Sequence, residues 1–487
     1  MAGLSAFFTP GRVKNINLVC LFLAICWVVF LPLKKEIWYD ETVSVIFSKG
    51  FTLYSSADYT GQQSVTSTTL ARLNTPAKVF NATVTDNGNS YLYYISLHWF
   101  TSIFGNSQYV YLLLSRLCGA ATLIAFFMLC GLFLQQSIFT SLALLLFTSD
   151  TIFWGGCNEI RGYIMGILFI TLSGAYCYKF LFKQGKPIYL MLTGIFAVGA
   201  VLSHYFSVYA ILVFIVYIIL IKKKELLSGK NILAILVPVA LMGIYIICAY
   251  SSFRRMAAMH DAIKEMHIKE PFEIARVFFL AMKFTALNFK FVYPAFKAAP
   301  AIIIVSFLMV IGVYVAAIKM AATEAERKNL RFLFITGFIS TLFLLFLCCN
   351  SKEYTFLYAR YFSFCVPFAT LYVVYALKVF FDNAKMKLAP LALLLLIIVP
   401  CITLFLSGII KNNPEIKYNH VAIAKKITAE NIASIEIPDW RDAFMIQGFL
   451  PAGTNINYIF NATSQHFILH KPEGVEKIPV IRIDNKN

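Results

Sequence analysis

The chain has 487 residues, of which 59% are hydrophobic and only 14% charged. A soluble chain carries about a quarter charged residues, and the apolar residues here run in long blocks, which excludes a soluble globular domain. The formal net charge of +18 lies mostly in short Lys/Arg clusters between those blocks, a topology signal, so no nucleic-acid partner is expected.

Eleven apolar spans are expected, at residues 17–33, 108–134, 137–154, 163–182, 188–203, 205–221, 231–250, 300–318, 332–349, 361–381 and 388–410. Each approaches the ~20 residues that a helix needs to cross about 30 Å of hydrocarbon. The first run follows Arg12 and Lys14, lacks a small-residue cleavage site and meets Pro32, Lys34 and Lys35 directly, so it reads as a retained span. With the N-terminus in the cytoplasm, five of six cytoplasmic loops are basic, among them Lys179–Lys186, Lys222–Lys230 and Lys319–Arg331. The expected topology is N-terminus cytoplasmic and C-terminus extracytoplasmic.

The expected fold class is thus an all-α polytopic membrane protein with about eleven transmembrane helices and a small C-terminal extracytoplasmic α/β domain. Residues 1–410 form the membrane domain and 411–487 the tail. The tail has nine Lys/Arg against eight Asp/Glu and mixes helical with strand-like pieces. The first extracytoplasmic loop, 34–107, is long. A short helix is predicted over 41–49, closed by Gly50, then an irregular Ser/Thr-rich stretch over 51–87. The run "NSYLYYISLHWFTSIFG", 89–105, predicts an aromatic amphipathic helix suited to the bilayer surface. The loop 251–299 faces the same side, as do the sequons at Asn81 and Asn461. Most of the eleven cysteines lie inside apolar blocks, with neither a disulfide framework nor metal-ligand spacing.

Several polar residues in this apolar chain call for a reason. Asp40 and Glu41 stand together in "EIWYDETVSVIF" just past the first span. Capping of a helix by Asp40 is one reading. The other is chemistry, since partial desolvation makes a carboxylate a better general base. "CNEIRGYIMG" opens the fourth span; on a helix Glu159 and Tyr163 would share a face, while Glu159 and Arg161 would not. Arg116 lies within two turns of the outer end of the second span, a depth that is costly for an unpaired charge. Arg360 and Tyr361 sit at the outer mouth of the tenth span, and a guanidinium fork suits phosphate. His204 and Tyr205 occupy an outer turn; a lone histidine there, like His98, is more often structural. The acid pair with a distant histidine also offers a weak site for a hard divalent cation, the one cofactor that the residues suggest, and no metal site is assigned. No nucleotide-binding fingerprint stands out.

Taken in order, "WYDETVS", "LYYISLHWFTSIFGNS", "LLSRLCGA", "NEIRGY", "SHYF" and "ARYFSFCVP" resemble the GT-C superfamily of membrane glycosyltransferases, over about residues 15–375. Similar ordered motifs occur in bacterial relatives of protein O-mannosyltransferases and of lipid A aminoarabinose transferases. The stretch "DNGNSY" stands where many relatives carry His-Pro-Pro, a departure that bears on the acceptor or subfamily. The resemblance implies a polyprenyl-phosphate-linked sugar donor, a glycan, lipid or protein acceptor, and transfer with inversion on the extracytoplasmic face. Asp40 would be the base and Glu41 its support. Arg116, Arg161 and Arg360 would meet the lipid phosphate, with Glu159, Tyr163, His204 and Tyr361 lining the substrate. The implied location is a bacterial inner membrane. The alternative is a membrane transporter or lipid flippase, which calls for charges at mid-bilayer and repeated halves.

Overall fold

A long apolar run satisfies its backbone in hydrocarbon by forming a helix, and these runs do so. The computed structural model describes residues 10–30, 39–51, 64–67, 70, 72–85, 89–135, 137–251, 254, 271–290, 300–348, 359–383, 420–451, 454–461 and 464–479. In chain order the elements are α1 (Pro10–Phe30), α2 (Tyr39–Ser48), β1 (Ser64–Thr66), α3 (Pro76–Thr85), α4 (Tyr91–Phe104), α5 (Gln108–Leu134), α6 (Ile138–Thr148) and α7 (Thr151–Cys157). There follow α8 (Tyr163–Phe182), α9 (Pro187–Ser203), α10 (Val208–Leu226), α11 (Gly229–Cys248), α12 (Pro271–Asn288), α13 (Pro300–Met320), α14 (Glu324–Cys348) and α15 (Val366–Asn383). The last are α16 (His420–Ala429), β2 (Ser434–Ile437), α17 (Trp440–Gln447), β3 (Asn457–Phe460), β4 (His466–Lys471) and β5 (Gly474–Pro479).

The described residues hold seven helices long and apolar enough to cross a membrane, or eight if the bent pair α6 and α7 is one span. This is an integral membrane protein, but the expected eleven spans are not all met. α9 is 17 residues long, and α14 opens on the polar "EAERKNLR" before the apolar stretch expected at 332–349. The expected span at 388–410 lies outside the described residues.

The chain divides into two compact units. The first joins 1–31, 116–157 and 163–410. In it α8 packs on α9, α9 on α11, α14 on α15, and α12 on α13 and α14. The α15 span, begun by the 3-10 turn Ala359–Cys365, is 89% buried, whereas α11 and α13 are 22% buried. The former is core and the latter two turn most of their surface outward, as lipid-facing helices do. Close crossing needs small residues; a Cβ on Gly174 would run into the Phe368 ring.

The second unit joins 32–115, 158–162 and 411–487. Its sheet has the order β1-β3-β2-β4-β5. β2 and β3 are parallel, with α17 as their crossover, and the other pairs are antiparallel. Strand alternation buries Ile435, Ile437, Phe467 and Leu469. Ile423 and Ile427 of α16 and Phe444 of α17 are also buried. His420 and Asp442, both buried, bond at 2.9 Å and tie these two helices together. The tail does not make this sheet alone: Ser64–Thr66 of the first loop forms its edge, in a stretch expected to be irregular. The predicted amphipathic helix forms as α4, which buries Tyr93, Tyr94, Leu97, His98 and Thr101 and exposes Trp99, Ile103 and Phe104.

Candidate active site

Asp40 and Glu41 both fall in the first turn of α2, where the positive end of the helix dipole favours carboxylates. The helix opens at Tyr39, so Asp40 lies inside the turn and is not the cap that its sequence position suggested. The far end closes as expected. Gly50 has φ +77°, its N–H reaches the Phe47 carbonyl at 2.9 Å, and the Phe51 N–H reaches the Ile46 carbonyl at 3.2 Å. This paired closure needs a left-handed residue, which glycine supplies without strain. His98 Nδ1 meets the Ser48 carbonyl at 2.9 Å, so that nitrogen carries its proton and the ring is a strut.

Glu41 is buried, and its Oε1 accepts the Ile160 backbone N–H at 2.8 Å. One residue on, Arg161 Nη1 donates to the Asp40 carbonyl at 3.0 Å. The segment 158–162 is thus sewn to the first turn of α2 at two adjacent points. It is a turn, and α8 begins only at Tyr163. The helical face that Glu159 and Tyr163 would have shared does not form. The carbonyl of Glu159 accepts from Ser115 Oγ at 2.7 Å, and Tyr93 Oη meets Ser115 Oγ at 2.8 Å. Sequence reasoning missed Ser115 and Tyr93, although both stand inside quoted motifs.

A second cluster belongs to the membrane unit. His204 ends α9, and its Nδ1 accepts the Phe206 N–H at 3.3 Å. The proton of the neutral ring is therefore on Nε2. Its ring stacks on Tyr163 with centroids 4.2 Å apart. Tyr361 lies 6.0 Å from Tyr163 and 4.5 Å from Phe206. The Arg360 guanidinium stands 5.9 Å from the Tyr163 ring centre and 5.6 Å from that of Tyr361, within cation–π range. Close packing holds the cluster from below, since a Cβ on Gly166 would strike Phe364, whose ring is 5.7 Å from His204.

Asp40, Glu41, Glu159 and Arg161 therefore gather in one unit, and Tyr163, His204, Arg360 and Tyr361 in the other. Arg116 is buried and donates to the Val29 carbonyl at 3.2 Å. A further charged pair was not foreseen. Asp150 Oδ1 caps α7 by accepting from Ile152 and Phe153 at 2.8 and 2.9 Å, and its Oδ2 binds the ammonium of buried Lys290. Among the described residues no group of three or more His, Cys, Asp or Glu side chains gathers to hold a metal ion.

No protein-family model and no curated protein sequence matches this chain. Solved structures do. ArnT from Cupriavidus metallidurans bound to undecaprenyl phosphate superposes with a TM-score of 0.50 at 11% identity, covering 90% of this chain and 84% of that one. The apo form of the same protein gives a TM-score of 0.50 at 12% identity over 93% and 86% of the two chains. The similarity covers nine-tenths of this chain, which shares the fold of these proteins.

Proposed function

We propose that the chain is a glycosyltransferase that moves a sugar from a polyprenyl-phosphate donor to an acceptor hydroxyl, with inversion, on the extracytoplasmic face. Asp40 takes the proton of the acceptor hydroxyl. The oxygen attacks the anomeric carbon from the side opposite the phosphate, the bond from that carbon to the phosphate oxygen breaks, and polyprenyl phosphate leaves. Donors aimed at the developing charge stabilise such a step. Arg360 is one candidate donor, a guanidinium resting on two aromatic rings whose planar fork suits a phosphate. Arg161 and Arg116 are the other candidates, and each also gives one N–H to a backbone carbonyl. Tyr163, His204 and Tyr361 are the aromatic side chains gathered with Arg360. The acceptor is a glycan, lipid or protein hydroxyl, in a bacterial inner membrane.

One observation carries the reading: an acid pair in a helix's first turn, bonded from outside by consecutive residues, Ile160 and Arg161. Undecaprenyl phosphate bound to a protein of this fold supports the donor class. The rival reading, a transporter or flippase, finds a buried charge pair in Asp150 and Lys290, but Asp150 is committed to capping α7. The test is transfer by purified protein in lipid nanodiscs, offered polyprenyl-phosphate hexoses and pentoses with glycan, lipid and peptide acceptors. Consumption of one donor, lost in Asp40→Asn at unchanged melting temperature, supports the reading. No consumption of any donor, or full transfer by Asp40→Asn, overturns it.

A further inference from the structure

The carbonyl of Glu159 and the N–H of Ile160 belong to one planar peptide unit. Both ends of that unit are taken. Ser115 Oγ donates to the carbonyl at 2.7 Å, and the N–H donates to Glu41 Oε1 at 2.8 Å. A serine hydroxyl has one proton, and Ser115 spends it on Glu159. Tyr93 must then be the donor in its 2.8 Å bond to Ser115 Oγ. The result is a directed chain from the Tyr93 hydroxyl through the Ser115 hydroxyl and the peptide plane to the Glu41 carboxylate. Every donor points toward the acid. Tyr93, Ser115 and Glu41 are all at most 1% exposed, so water does not compete for these bonds. Bonds aligned head to tail polarise and strengthen one another.

The geometry points to Ser115, backed by Tyr93, as a positioning residue for the transfer reaction: it fixes the Glu159–Ile160 peptide plane, and through it Glu41 and the turn of α2 that bears Asp40. This rests on the proposed role of Asp40. Glu41 is then a strut that aims its neighbour, and the loop 158–162 is the part that Ser115 adjusts. Ser115 stands on α5 next to Arg116, so a helix otherwise given to spanning also sets the loop.

Full-length protein in nanodiscs tests this with the donor found above. Two readouts are needed: steady-state transfer, and hydrogen exchange of the Ile160 amide measured without substrate. Ser115→Ala is expected to lower kcat about tenfold or more with KM within about twofold, the mark of lost transition-state alignment. It is expected to speed Ile160 exchange about tenfold. Ser115→Thr, which keeps the hydroxyl, should restore both to within about threefold. Tyr93→Phe removes one oxygen and should give the same changes at smaller size; it carries the test if Ser115→Ala does not fold. Exchange and kcat both at wild-type level in Ser115→Ala and Tyr93→Phe overturn the proposal, as does a rise in KM alone. Exchange is read without turnover, so full transfer by Asp40→Asn strikes the role of Asp40, whereas unmoved exchange strikes the relay.

Discussion

The backbone N–H of Ile160 bonds the carboxylate of Glu41 across 119 positions of sequence, at 2.8 Å and out of contact with water. A buried acid whose partner is a peptide group acts first as an acceptor. Glu41→Gln keeps an acceptor oxygen, and Glu41→Ala leaves the amide with none. The alanine variant is expected to lose about 1–3 kcal/mol, the cost of an orphaned buried donor. Thermal melts in detergent should show a lower transition for Glu41→Ala and a nearly unchanged one for Glu41→Gln.

Arg360 separates charge from shape. Arg360→Lys keeps the cation but loses the planar fork and its rest on Tyr163 and Tyr361. Donor KM, and the inhibition constant for free polyprenyl phosphate, are expected to rise about tenfold in Arg360→Lys and further in Arg360→Met. Equal values for lysine and wild type would mean that only the charge matters.

Lys49 gives a pH dependence. It is buried at the end of α2, donates to the Leu70 carbonyl at 2.9 Å and lies 5.7 Å from the Phe444 ring centre, with no acidic partner among the described residues. Burial without a counter-charge pushes its pKa down from 10.5 to about 8. Below pH 8 the amine is charged in both states and the folded state carries the full burial cost. Between pH 8 and 10.5 only the unfolded chain holds the proton, so stability rises with pH through that window. The total is on the order of 3 kcal/mol. Lys49→Met should melt higher at pH 7 and abolish this rise, read as the difference between the two melting curves against pH.

The Asp150–Lys290 pair is buried on both sides, with side chains 5% and 4% exposed. Removing one partner of such a pair costs about 3–5 kcal/mol because the other is stranded. Asp150→Asn keeps an oxygen to cap α7 yet strands the Lys290 ammonium. Adding Lys290→Met should recover most of the loss. A double variant as unstable as the sum of the singles would show that the two charges do not act together.

The membrane helices were legible because each needs a contiguous apolar run, and the end of α2 because Gly50 has one obvious use. The acids were legible as exceptions to their surroundings. Ser115 was not, because a hydroxyl in an apolar helix usually bonds its own preceding turn, as Thr122 and Thr171 do to the Cys118 and Ile167 carbonyls. Nothing local distinguishes one that bonds a peptide 44 positions away. The capping alternative for Asp40 is not met, since it lies inside the first turn, and β1 was missed because three residues in a polar stretch gain strand geometry only from their partner. Lys290 sits at φ +66°, beyond α12, where no periodicity extends.

The edge strand β1 sets an order on biosynthesis. Ser67 Oγ, at the end of that strand, bonds the Thr454 carbonyl 387 residues later. A ribosome delivers the first loop long before its pairing strand β3. The loop that bears the acids must wait through the insertion of the intervening spans before its edge is covered. A nascent chain halted before β3 would present Ser64–Thr66 unpaired, in the manner of an edge strand that recruits strangers. Pairing with β3 would then be the event that ends this exposure, which makes a segment translated late a checkpoint for a loop made early.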